Sequence, residues 1–212
     1  MWGDRARWSR VVRIALLAAI AVTGCAGSAD GEPTRVVDRD PDPLPLDEET
    51  PIGLRGIGPV VVGMTVAEGQ QAAGVPLRVD SFVDFGGFCY FARPEGLEDH
   101  VYFLILPPGD EPVTDPLAGI ISGVSSAVGM ASPARTEAGV GIGSTEDEVR
   151  AAYPGRVLTE PHHYDPAGHY LTVVPSEPAD QAYRIRFSTD GNQVVEIDAG
   201  FERATSLVEG CA

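Results

Sequence analysis

Val60-Val61-Val62-Gly63-Met64-Thr65-Val66-Ala67-Glu68 and Val140-Gly141-Ile142-Gly143-Ser144-Thr145-Glu146-Asp147-Glu148 are the two stretches on which the fold turns. Gly63, Thr65 and Glu68 align with Gly143, Thr145 and Glu148 at a constant offset. A Thr followed three residues later by Glu is a capping box, in which each side chain satisfies an orphan amide at a helix start. The glycine before it permits a sharp turn out of a short strand. A short helix is therefore expected after each stretch. The first should stop near Gly74 and the second before Pro154, at residues that end helices.

Outward from these starts the pattern changes to strands. Phe88–Ala92, His100–Leu106 and Gly119–Val128 are the candidates after the first helix. His169–Val174, Tyr183–Ser188 and Gln193–Ala199 follow the second. Tyr183, Ile185 and Phe187 alternate with Arg184, Arg186 and Ser188, which makes one face apolar and leaves the arginines as a solvated strand face. Asp190-Gly191 is a hairpin signal between the last two strands. The expected fold class is α+β, with two tandem repeats, each a short capped helix packed on a small antiparallel sheet. The boundaries read as 1–24 signal segment, 25–50 tether, 51–134 first repeat and 135–212 second repeat.

The N-terminus gives an address. Arg5, Arg7, Arg10 and Arg13 precede an uncharged run from Ile14 to Val22. That run is too short for a spanning helix, which needs about 20 residues. A basic start and a short apolar run are the pattern of a signal peptide, the alternative being a retained N-terminal anchor. Val22-Thr23-Gly24-Cys25 resembles the bacterial lipobox. The resemblance implies cleavage before Cys25, a diacylglycerol on its thiol and palmitate or a similar chain on the new amine. It implies a lipoprotein held on the extracytoplasmic face of the cell membrane, since two or more acyl chains anchor stably. Ordinary secretory cleavage would instead leave Cys25 as a free thiol.

Composition narrows the partners. The chain holds 15 basic and 31 acidic residues, for a net charge of −16, and every basic residue is Arg. Such acidity repels phosphates and anionic head groups, so nucleic-acid binding is excluded. Residues 26–50 hold Pro33, Pro41, Pro43 and Pro45 among dense acids, and are too poor in apolar groups to offset ordering entropy. They read as an extended tether. Lipidation of Cys25 would leave two of the three cysteines, Cys89 and Cys211. An oxidising compartment then favours a Cys89–Cys211 bridge over two buried thiols. Its long loop makes it worth up to about 4–5 kcal/mol in the chain-entropy model.

Gly63-Met64-Thr65-Val66-Ala67-Glu68, closing at Gly74, resembles the opening of the small bacterial SmpA/OmlA lipoproteins and of β-lactamase-inhibitor-protein-like repeats. Ser144 replaces the Met in the second copy. Arg135-Thr136-Glu137-Ala138-Gly139 and the terminal Glu209-Gly210-Cys211 resemble stretches of uncharacterised actinobacterial lipoproteins. The resemblance implies a non-enzymatic protein-binding or envelope-assembly module, and so an envelope protein partner. Cys89 and Cys211 do not sit at equivalent repeat positions, so the inhibitor's own disulfides and its inhibition of β-lactamase do not carry over.

Candidate chemistry is sparse. Tyr90, Tyr102, Tyr170 and Tyr183 are the binding candidates, because tyrosine offers amphipathic contact area at low entropy cost. No cofactor is expected. His162, His163 and His169, with Asp165, are the only cluster of metal-ligand types and support an alternative reading as a metal-dependent or hydrolytic enzyme. Their spacing matches no known ligand pattern, and Pro161 and Pro166 mark the segment as a loop. There is no Gly-x-Ser-x-Gly nucleophile elbow. Gly139, Gly141 and Gly143 lack the Lys-Ser/Thr of a phosphate loop.

Overall fold

The computed structural model describes residues 45–80, 86–126, 132–208 and 210–211. Cys25, the signal segment and the tether as far as residue 44 lie outside them. Three short strands, β1 (Ile52–Gly53), β2 (Gly56–Ile57) and β3 (Val60–Val61), form a small antiparallel sheet. Helix α1 (Val66–Ala73) follows, then β4 (Leu77–Asp80), β5 (Tyr90–Pro94), β6 (Val101–Leu106) and β7 (Ile120–Ser126). Helix α2 (Glu146–Ala152) precedes β8 (Val157–Pro161), β9 (His169–Val173), β10 (Tyr183–Thr189) and β11 (Val194–Phe201). A last turn of helix, α3 (Glu202–Thr205), leads into the C-terminal arm.

The expected α+β fold of two helix-on-small-sheet modules is corrected. The eight longer strands form one antiparallel sheet in the order β4-β5-β6-β7-β11-β10-β9-β8, and the three helices are only 8, 7 and 4 residues long. The regular structure of the described residues is mostly β. A physical reason lies at the middle of the sheet. A four-stranded half ending in β7 or β11 would leave a row of unpaired N–H and C=O groups along that strand, and edge pairing removes it. Asp198, Ala199 and Gly200 of β11 pair with Ser125, Val124 and Gly123 of β7.

Both capping boxes form. Thr65 accepts from Glu68 N while Glu68 Oε2 accepts from Thr65 N at 2.8 Å, and Thr145 and Glu148 do the same at 2.7 Å. Helix α1 ends on Gly74 in the left-handed region, at φ 70°. Each start is stitched to the closing strand of its half. Gly63 N donates to Ile121 O at 2.8 Å and Gly143 N to Val194 O at 2.9 Å. Counting forward equally from Ile121 and Val194 reaches Ser125 and Asp198, and these two residues pair with each other. The seam therefore has a local two-fold relation centred on them.

The first face of the sheet carries the main core: Phe103, Ile105, Ile121, Val124, Leu171, Phe187 and Ile197, each no more than 1% exposed. Val60, Val66, Val149 and Tyr153 pack onto it from β3 and the two long helices. Leu46, inside the stretch read as tether, is also buried and donates its N–H to Ala73 O at 2.9 Å. The reading of Arg184 and Arg186 as a solvated face is corrected too. Arg186 is buried, and Arg184 is largely covered and pairs with Glu202 of α3 at 3.1 Å. Helix α3 and the arm lie over this second face.

Glycine makes room for them. Gly123 and Gly200 are opposite each other on β7 and β11, and a Cβ on Gly123 would meet the Ala204 Cβ at 3.4 Å. Beyond α3, Leu104, Phe91, Leu207 and Cys211 form a small second apolar cluster. Cys89 and Cys211 lie at disulfide distance, with Cα atoms 5.3 Å apart, and fix the end of the arm beside the start of β5.

Candidate functional site

The candidate site is the second face of the large sheet. Register places Tyr102, Ser125, Asp198 and Arg186 in one row across β6, β7, β11 and β10. Glu196 stands two residues before Asp198 on the same face. Ser125 Oγ donates to Asp198 Oδ1 at 2.5 Å, and Tyr102 Oη donates to Glu196 Oε1 at 3.3 Å. Arg186 sends Nη2 to Leu207 O of the arm at 2.8 Å and to the Asp198 carboxylate at 3.6 Å. Yet Arg186 Nε and Asp198 Oδ2 are buried without a hydrogen-bond partner. Such groups are costly to leave unmade, and the Arg186–Asp198 ion pair offsets part of that cost.

Two clefts flank Arg186. One, of about 270 Å³, is lined by Phe91, Tyr102, Glu196 and Asp198 on the sheet and by Leu207 and Gly210 of the arm. The other, also about 270 Å³, is lined by Leu158, Glu160, Tyr170 and Thr172 with Thr205 of α3. Burial, with Asp198 next, pushes the Glu196 carboxyl up to about 7. Burial also raises Asp198, against the hydrogen bond from Ser125 and the charge of Arg186. Burial and the two carboxylates push the Tyr102 phenol up as well. Larger cavities of about 340 Å³ lie by the small sheet, where Arg55 Nε donates to Asp180 at 2.8 Å and Glu137 lines both.

The four tyrosines separate. Tyr102 and Tyr170 reach the second face. The Tyr170 ring sits between the His162 ring at 4.5 Å and the Arg186 guanidinium at 4.7 Å. Tyr90 is fully buried in the main core and donates its hydroxyl to Pro116 O at 2.7 Å. Tyr183 stacks on Phe201 at 5.3 Å with Arg55 over its ring at 4.9 Å.

The histidines face different partners. His169 Nδ1 lies 2.7 Å from Glu146 Oε1, His162 Nδ1 accepts from the amides of Tyr164 and Asp165, and His163 meets the Tyr164 ring edge to face. Among the described residues no cluster of three or more His, Cys, Asp or Glu is placed to hold a metal ion. Cys25 lies outside the described residues.

Sequence reasoning missed Glu196, Asp198, Ser125 and Arg186. The signal was present: two acids, Glu196 and Asp198, at alternate positions of a strand otherwise rich in Val, Ile and Ala. Alternating charges on a strand that is apolar on its other face point to a polar sheet face. No family model, curated protein or solved structure matches the chain.

Proposed function

We propose that this chain is a non-enzymatic binding module, lipid-anchored through Cys25 on the extracytoplasmic face of the membrane, that holds an envelope protein on the second face of its sheet. One observation carries the reading. The two polar clefts beside Arg186 leave buried hydrogen-bonding capacity unmet, and exposed side chains such as Leu158, 56% exposed, rim them. A partner that fills the clefts would satisfy these groups. The lipobox, the acidic tether and the paired cysteines support the location. Among the described residues no helix is long and apolar enough to cross a membrane.

A photo-reactive side chain at Leu158 tests the reading in envelopes of the source cell. One saturable cross-link from Leu158, with none from Leu117 in the loop before β7, is the expected outcome. Equal or unsaturable labelling from both positions overturns it.

A further inference from the structure

We propose that the cleft over Glu196 and Asp198 binds a single cationic nitrogen group, an alkylammonium or guanidinium, carried by a side chain of the protein that docks on this face. The inference rests on the reading of the second face as a binding surface and gives that surface its chemistry.

Charge counting within the cleft supports it. Two carboxylates, Glu196 and Asp198, line the cavity with one guanidinium, Arg186. That guanidinium is already committed to Leu207 O and faces Asp198. The nearby Arg93, whose guanidinium lies 5.0 Å from the Tyr102 ring centre, is held by Asp80 at 3.0 Å and by Glu98 O at 3.2 Å. Among the described residues Glu196 has no ion-pair partner, and its bond from Tyr102 is a long one. When ionised, Glu196 thus carries a negative charge with no ion-pair partner, half-buried, where water screens it poorly. Asp198 Oδ2, on a residue only 9% exposed, has the Arg186 guanidinium at 3.6 Å but no hydrogen bond, and so keeps acceptor capacity.

Size and walls point the same way. About 270 Å³ is below the roughly 300–1,000 Å³ of sites that enclose drug-sized ligands, and suits one side chain or a small amine. Phe91 and Leu104 supply an apolar wall for a methylene stem, and long cationic side chains lay such stems on apolar surface while the head finds its charge partner. The Tyr102 and Ser125 hydroxyl oxygens complete the acceptor set. The groups facing Glu196 are Tyr102 of β6, Asp198 of β11, and Arg186 and Ser188 of β10. A proton on Glu196 competes with the cation, so affinity should rise with pH across neutrality.

The test titrates the oxidised, folded chain with Nα-acetyl-lysine methylamide, Nα-acetyl-arginine methylamide, putrescine and the neutral Nα-acetyl-norleucine methylamide, followed by NMR shifts of β6 and β11 amides. Saturable binding of a cation with the norleucine compound inert supports the proposal. Preference for a blocked amino acid supports a protein side chain as the occupant, and preference for putrescine overturns it. Glu196→Gln should weaken binding at least about tenfold, and Tyr102→Phe, which keeps the ring, less. Between pH 6 and 8 the affinity should rise about tenfold. Equal binding of the neutral compound, or unchanged affinity in Glu196→Gln, overturns the proposal. A cross-link from Leu158 that survives alongside such a result leaves the second face as the binding surface and removes only its cationic anchor.

Discussion

Glu146 is held charged although burial pushes its carboxyl the other way. Its side chain is 12% exposed, yet hydrogen bonds from Thr189, His169 and Arg150 outweigh the burial and hold its carboxyl down to about 2. Thr189 Oγ1 and His169 Nδ1 both reach Oε1 at 2.7 Å, and Arg150 Nη2 reaches Oε2 at 2.9 Å. The folded-state carboxyl titrates below its unfolded counterpart. Its contribution to stability is therefore complete above the ordinary Glu value near pH 4.5 and is lost as pH falls towards 2. Glu146→Gln should cost about 2 kcal/mol at pH 7 and flatten the acid limb of the stability curve, measured by urea unfolding across that range. An unchanged acid limb would show that the network contributes nothing. Gly119 is a steric counterpart. A Cβ there would lie 1.9 Å from Tyr90 Oη and 2.6 Å from Ile105 Cγ2, and the Tyr90 ring has no space to move into because it is wholly buried. Gly119→Ala should cost about 1–3 kcal/mol by overpacking, read as a lower denaturation midpoint at constant slope. Neither role is written in the local sequence. Glu146 reads as a helix-start acid, and its partners at Arg150, His169 and Thr189 come from three different elements.

At the scale of elements, what was legible was what is local. The capping boxes at Thr65 and Thr145 are closed by residues three apart, and Gly74 stops α1 by its own conformational freedom. Six strands stand within two residues of where alternation and turn signals placed their starts. β4 and β8 were not foreseen. Leu77–Asp80 is only 4 residues long, and Val157–Pro161 is an outer strand whose exposed residues give no apolar period. The hairpin signal at Asp190-Gly191 is real, but the loop is longer than two residues. Asp190 Oδ1 accepts from the amides of Asn192 and Gln193, and Asp190 N donates to Gln193 O at 3.1 Å. The cap of α2 has consequences beyond the helix, because Thr145 also bridges to Gln193 ahead of β11. Thr145→Ala should cost about 1 kcal/mol, and Thr145→Ser should recover most of it. Chemical denaturation of both variants gives the comparison. Equal losses would assign the effect to the methyl group and not to the hydroxyl.

In the whole molecule, the difference between expectation and structure is a matter of pairing. Periodicity finds strands but does not say which strand joins which. Two modules with free edges and one eight-stranded sheet can share the same strand sequences, and only the seam between β7 and β11 separates them. The same seam explains why the candidate site was half visible. Tyr102 and Tyr170 could be named from residue type, whereas Glu196, Asp198 and Arg186 acquire meaning only once the register lines them up. The arm that closes the site has little to hold it by itself. Helix α3 is 4 residues long, Val208 is 43% exposed, and among the described residues the second apolar cluster has three buried members. Cys89 and Cys211, 122 residues apart in sequence, therefore carry a large share of the arm's attachment and restrict the unfolded chain across most of the folded part. Replacing both with Ser should cost about 3–4 kcal/mol and lower the thermal midpoint by about 10 °C. Hydrogen exchange should rise first at Leu207 and along the second-face amides of β5 and β6, before the main core opens. Reductant should reproduce this in the parent chain and leave the double variant unchanged. A parent chain whose midpoint and exchange ignore reductant would mean that Arg186 and the small apolar cluster hold the arm without covalent help.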